Sequence, residues 1–599
     1  MTDYPTREEL DDEHTWDLTR IYGTPADWEA AADELADRAA ALRTREDPTD
    51  SPVTLAGSLE AIESALVTKN RLELYAELRR NEDTTDDDRR DRRRRARRLA
   101  ADVDEAVQAV RRRIQRDAPA VREHRERPAL DGWRDYLDDL LAGAPHTRDA
   151  SVEAVIAAFE PVVESGADTV LAVTTDDFEA PTVGGPDGED FEVDGGSYSA
   201  ALDSPDRAFR RRAHEAFLGA LGDYEHALAA AVAEKVEANA ALATVRNYDS
   251  VREMALSRAS YPDTGMCDSF PASAHDAVIE NVRDHFDAYH DLLESRRACL
   301  GVETLRPWDA SAPLVDGEVP ELDYAAVCEH VLAAVEPLGA EYRDRLAAFF
   351  DERRGDVFPT RKKRTDITGY CPSNPETGAF VLANFRGDLR TAFVLAHELG
   401  HAMHAAVLRD AGPPRYATCP QPVSEVPSLL HELLLAEHLH EEGETALTPF
   451  VRERRANVLA GNVYRAGRSA AFLHEMYRLV EDGYDLSPDR LAETYADCAA
   501  AFRGPVEAAD GGCEWRREAY AREPYHSYQY VTGTVAAVSI HRRIQSGKLT
   551  TGAYRDFLGN AGRRDSVSSF ESLGIDVTAS DPYGRVADEL DRIREARLD

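Results

Sequence analysis

The sequence predicts a mainly α-helical fold with one small β-sheet, and three observations carry that reading. Long segments place apolar residues at a period of 3.6. Only two stretches depart clearly from that period: a Gly-rich, acidic run over residues 174–198 and an extended run over Asp366–Phe385. A length of 599 residues, 43% of them hydrophobic, is enough for several domains or one large unit with a sizeable core.

In chain order, helices are expected over Trp28–Leu42, Leu55–Leu78, Leu99–Arg116 and Val152–Glu164. Residues 81–98 hold an acidic block and then an arginine run from Arg89 to Arg98. We read it as a solvated helix face whose arginines pair with the preceding acids, not as an anion or RNA patch. The run Thr182–Gly196 suits a β-hairpin or loop, and the domain boundary is placed there: a helical N-terminal domain over 1–190 and a catalytic domain over 191–599. Helices resume from Ser204 through Ala243 and continue, with breaks, to the end. No repeat period emerges.

The charge is unusual. There are 112 acidic against 71 basic residues, a net charge of −41, and only five of the basic residues are lysine. An acidic, arginine-over-lysine surface fits a molar-salt cytoplasm, where a Debye length of about 3 Å screens self-repulsion. Charge of this sign excludes nucleic acid and anionic membranes as partners. The seven cysteines are scattered, with no C-x-x-C pair, as expected of a reducing cytoplasm. The N-terminal segment reads as no signal peptide, and no window of 18 apolar residues follows.

The chemistry centres on Phe393–His404, which contains His397-Glu398-Leu399-Gly400-His401, an H-E-x-x-H pattern. On a helix His397 and His401 share one face and can bind one ion. Asp388 is the expected N-cap, and Gly412-Pro413-Pro414 the stop. Two imidazoles beside a carboxylate that can accept a proton from water are parts of a zinc hydrolase. Zinc needs a third ligand. His404 lies about 10 Å further along the axis than His397, which suits packing better than ligation. Glu425, separated from His401 by 23 residues, is the better ligand; Ser424 and the nearby prolines suggest a helix start there. Glu432, two turns on, can orient a ligating imidazole.

These segments resemble the M3 family of zinc peptidases, its oligoendopeptidase F branch most of all. The likeness rests on Asn384–Asp388, the H-E-L-G-H-A-M-H run and the Ser424–Ser428 segment. It extends to Arg207–Ala213, Tyr248–Leu256 and Gln529–Gly533. The resemblance implies a zinc-dependent endopeptidase that cuts internal bonds of short peptides, with two lobes around a deep channel. His397, His401 and Glu425 would hold one zinc and Glu398 would act as general base. A short sheet before the histidine helix would offer its edge strand to the substrate backbone, and Tyr530 would donate to the transition state. Two other classes stay open: a dipeptidyl carboxypeptidase using the same zinc chemistry, and an inactive peptide-binding module.

One position departs from the resembled pattern. Relatives place a histidine ten residues before the tyrosine of Q-Y-x-T-G, whereas this chain has Tyr520 there and carries His526 instead. Tyr520 can supply the missing hydrogen bond, His526 can take over from one helical turn away, or a local gap shifts the count. His526 is the reading carried forward.

Overall fold

The structure, a computed structural model, describes residues 4–163, 165–257, 268–315, 317, 320–441, 443, 446–507, 512–518 and 524–598. It is mainly helical. The first three long helices are Pro25–Arg43, Pro52–Glu82 and Asp87–Arg116. Each begins upstream of its apolar stripe, because its first turn is set by a cap instead of by burial. Thr24, Ser51 and Asp86 accept backbone N–H groups there, and Pro25 and Pro52 follow the first two caps. The arginine run falls on the third helix. Arg90 and Arg94 pair with Asp87 and Asp91 on the same helix, while Arg89 reaches both Asp86 and Glu82. Arg93 and Arg95, however, reach Glu77, Glu29 and Asp33 on the two neighbouring helices. The run therefore links three helices as well as answering the acids before it.

Two large hydrophobic cores result. The first runs from Trp16 to Leu141, and the second takes in residues from Val170 to Ile593. The expected hairpin is present: β1 (Thr182–Gly184) pairs antiparallel with β2 (Asp190–Glu192), with Gly188 turning at φ +86°. The single sheet expected over Asp366–Phe385 is corrected to two. β3 (Gly355–Asp356), β7 (Val381–Ala383) and β4 (Gly369–Tyr370) form a three-stranded sheet with β7 central and β4 at an edge. β5 (Ser373–Asn374) and β6 (Gly378–Ala379) form a separate pair. Pro372, which has no N–H to donate, separates β4 from β5.

This small sheet stitches the two cores together. Alternate residues of a strand face opposite sides, so Phe380 and Leu382 enter the first core while Val381 and Ala383 enter the second. Lys363, one of the five lysines, fastens the sheet from within. Its buried ammonium donates to the carbonyls of Asp356, Phe358 and Ala383 and pairs with the Asp356 carboxylate at 2.8 Å. A compact charge with three donors fits that cage, which a planar guanidinium does not.

A second buried clamp lies in the Arg207–Ala213 segment. Asp309 is fully buried and accepts from Arg207 Nη2 at 2.7 Å and Arg210 Nη2 at 3.0 Å. Burial opposes its charge, but the two guanidiniums and the Arg306 N–H outweigh it and hold the carboxyl below its usual range. With the folded pKa depressed, the stabilisation is present above the unfolded value of about 3.9 and is lost as pH falls through the lower folded value. Asp309→Asn leaves the buried Arg210 without a counter-charge and is expected to cost about 3 kcal/mol at neutral pH. Urea unfolding measures it; an unchanged midpoint would rule the clamp out.

Candidate metal centre and active site

The histidine helix spans Leu389–Ala411. Asp388 caps it, accepting from Thr391 N at 2.7 Å, and Gly412 ends it. His397 and His401 therefore project one turn apart on one face. Between them Gly400 has a packing role. A Cβ there would lie 2.5 Å from the carbonyl oxygen of Pro427 and from Ser428 Cα, so only glycine lets the next helix cross this closely.

That next helix, the glutamate helix, spans Gln421–Glu441. It starts three residues before Ser424, so the expected start at Ser424 is corrected: Glu425 stands in the second turn. Pro420 accepts the first helical N–H groups and Pro422 occupies the first turn, where a missing donor costs nothing.

The crossing brings His397, His401 and Glu425 together, with their ligand atoms all within 4.8 Å of one another. The two histidine Nε2 atoms are 3.2 Å apart, and Glu425 Oε2 lies 3.7 Å from His397 Nε2 and 4.0 Å from His401 Nε2. Ligands at about 2.1 Å in a tetrahedral shell stand roughly 3.4 Å apart, so the trio fits one zinc ion. Two imidazoles and a carboxylate are a zinc donor set. His397 Nδ1 is already engaged by Glu432 Oε1 at 2.8 Å, which turns Nε2 towards the centre. Arg454 holds the other Glu432 oxygen at 3.1 Å and lies over the Phe393 ring. Gln421 donates to Glu425 Oε1 at 3.1 Å.

Electrostatics separate the two histidines. Burial lowers His397, but the Glu432 hydrogen bond and the surrounding carboxylates overcome it and raise the group to about 9. Burial and the neighbouring His397 lower His401 to about 4. His404 is buried in the core with its ring 4.0 Å from Cys419 Sγ, a packing position.

Glu398 sits beside the trio without belonging to it. Burial raises it to about 7; His397 opposes the shift, and Glu425 and Glu432 add to it. Edge strand β4 covers this carboxylate. A Cβ on Gly369 would stand 3.1 Å from Glu398 Cγ and 2.8 Å from Val394 Cγ1, so the strand approaches only because Gly369 has no side chain.

The tyrosine helix, Tyr528–Gln545, crosses the glutamate helix at Glu425. A Cβ on Gly533 would stand 3.1 Å from Glu425 Cβ and from the Pro422 carbonyl oxygen. Tyr530 lies one turn before Gly533 on the same face. His526 stands just outside the helix, yet its Nε2 lies 3.2 Å from Tyr530 Oη. Tyr520 lies outside the described residues. Sequence reasoning missed Gly369, Arg454 and Gln421, which act only across segments. It also left Gly400 and Gly533 unread, although a glycine inside a helical pattern signals a close approach.

A helical fold that sets H-E-x-x-H histidines against a glutamate from the next helix defines a metallopeptidase class of site. The description "Peptidase family M3" matches residues 200–588, and the chain belongs to that family. It is 25% identical to Oligopeptidase PepF of Bacillus subtilis, over 96% of this chain and 86% of that one. It is likewise 25% identical to an Oligoendopeptidase F homolog of Lactococcus lactis, over 99% of this chain and 98% of that one. Among solved structures, a Chlamydophila abortus chain matches with a TM-score of 0.89 at 21% identity, over 99% of both chains. Oligoendopeptidase-F of Enterococcus faecium matches at 0.70 and 22%, over 95% of this chain and 99% of that one. The protein is thus a peptidase. No helix among the described residues is long and apolar enough to cross a membrane.

Proposed function

We propose that the protein is a zinc-dependent oligoendopeptidase that hydrolyses internal bonds of short peptides, working in a salt-rich, reducing cytoplasm. Its helical N-terminal domain takes residues 1–190, of which Val170 and Val173 already pack into the second core, its catalytic domain takes residues 191–599, and two lobes flank a deep channel. The observation that carries the reading is the trio of His397, His401 and Glu425 with Glu398 beside it, beneath the edge of β4.

His397, His401 and Glu425 hold the zinc. Bound there, zinc supplies Lewis-acid polarisation of the scissile carbonyl and lowers the pKa of water towards about 7. Glu398 takes the water's proton and later returns it to the leaving amine. The β4 edge offers main-chain hydrogen bonds to an extended peptide, which binds a backbone with broad tolerance of side chains. Tyr530 donates to the oxyanion. With His526 protonated on Nε2, the imidazole donates to the Tyr530 oxygen and leaves the phenol hydrogen free for substrate.

Digestion of a mixed peptide library in high salt, read by mass spectrometry, tests this directly. Internal cuts are expected. Stepwise loss of C-terminal dipeptides would make it a dipeptidyl carboxypeptidase, and binding without cleavage would make it an inactive peptide binder. Tyr530→Phe is expected to lower kcat by about a hundred- to a thousandfold with zinc content unchanged, the range for loss of one oxyanion donor. An unaltered kcat would remove Tyr530 from the reaction. The net charge of −41 requires screening, so the melting temperature is expected to rise from low to molar KCl. A steady fall with added salt would end the salt-adaptation reading.

A further inference from the structure

Three residues outside helices and glycines break the usual backbone rule: among the described residues, the non-glycine positions with positive φ are Asn247, Arg353 and Tyr525. Asparagine tolerates that region, and Arg353 ends a helix. Tyr525 is different. It is a bulky aromatic at φ +59°, 2% exposed, immediately before His526. Such strain persists only where the surroundings over-determine it, and it clusters at functional sites.

The surroundings here are specific. The Tyr525 ring stacks on Tyr477 with centroids 5.4 Å apart and meets His275 edge-on at 5.3 Å. Its phenol oxygen lies 3.2 Å from His474 Nδ1. Burial and the nearby Arg252 keep His474 below its usual pKa, so its neutral ring can accept a hydrogen bond from the phenol. Three residues on, Tyr528 donates to the half-buried Asp268 carboxylate at 3.3 Å, and Asp268 in turn receives the Ser566 hydroxyl and N–H. The turn is pinned on both sides, by Tyr525 and by Tyr528. His526 stands between the pins with Nε2 at 3.2 Å from Tyr530 Oη.

We propose that His474, through its hydrogen bond to the strained Tyr525, is a positioning residue that holds His526 against the Tyr530 phenol. This rests on the proposed role of the Tyr530–His526 pair and extends it to a residue on another helix, Ala466–Glu481. His474 is not one of the three residues grouped at the metal site; it acts by fixing a backbone conformation that tyrosine otherwise avoids. The strained turn then delivers one imidazole in one orientation.

The test is a double-mutant cycle on kcat with a peptide substrate, with zinc content and KM measured alongside. His474→Ala and Tyr525→Phe, the second keeping the ring and removing only the hydroxyl, are each expected to lower kcat by about three- to tenfold. KM and zinc content should hold. His474→Asn, whose amide oxygen can still accept a hydrogen bond from the phenol, should recover most of the loss. In the His526→Ala background neither substitution should lower kcat further, because the group they position is gone. If His526→Ala alone leaves kcat unchanged, the reading of the Tyr530 pair fails and this proposal with it. If His526→Ala lowers kcat but His474→Ala and Tyr525→Phe do not, only the positioning proposal falls. It also falls if they multiply the loss in the His526→Ala background.

Discussion

Replacing Glu398 by glutamine is expected to lower kcat by about 10²- to 10⁴-fold, the contribution of a positioned general base, while zinc stays bound. The expectation follows from where the carboxylate stands. Glu398 is on the histidine helix but outside the trio proposed to hold the ion, so its charge should not be needed for metal binding. It is buried under Gly369, where the edge of β4 would also place a peptide backbone. Glutamine keeps the shape and packing against Val394 and Gly369 and removes only the ability to take a proton. Zinc per chain and the melting temperature should therefore match the parent protein. A variant that lost zinc as well as turnover would show that Glu398 serves as a ligand, and the separation of roles drawn here would be wrong.

Glu425→Ala is expected to do the opposite and lose the metal. It removes one of the three proposed protein donors. The loss in affinity should exceed the 10- to 100-fold that removal of an outer-shell partner gives. Glu432→Gln supplies that comparison within the same protein, because Glu432 contacts His397 through Nδ1, the far side of the ring from the centre. Zinc retained after dialysis against a graded chelator series measures both. Glu425→Ala should empty at chelator strengths that leave the parent loaded, with Glu432→Gln between the two. Full retention in Glu425→Ala would move the third ligand to another carboxylate. Glu437 is a poor candidate, since it faces the buried His541 at 2.7 Å.

Much of this site was legible because its signals are local. A pair of histidines four residues apart becomes a bidentate face as soon as the segment is helical. The Asp388 cap and Gly412–Pro414 stop are likewise read within one turn of the residues they serve. The helix starts were read late at Trp28, Leu55 and Leu99, because the stripe of buried residues begins only after the polar, capped first turn. The strand pattern over Asp366–Phe385 was also visible. Its division into two sheets was not, since strand pairing depends on partners far along the chain, such as Gly355 with Val381.

The sequence by itself determined the helical class, the acidic surface and the two histidines with their neighbouring carboxylate, because period, composition and i, i+4 spacing belong to single segments. Only the tertiary structure decided what surrounds them. The crossing at Gly400 sets Glu425 and Glu432 on opposite sides of His397. The edge of β4 buries Glu398 through the missing side chain of Gly369. His474 and Asp268 pin the turn that carries His526 from two different parts of the chain. These are contacts between segments separated by tens to hundreds of residues. Packing, and not any local preference, selects them.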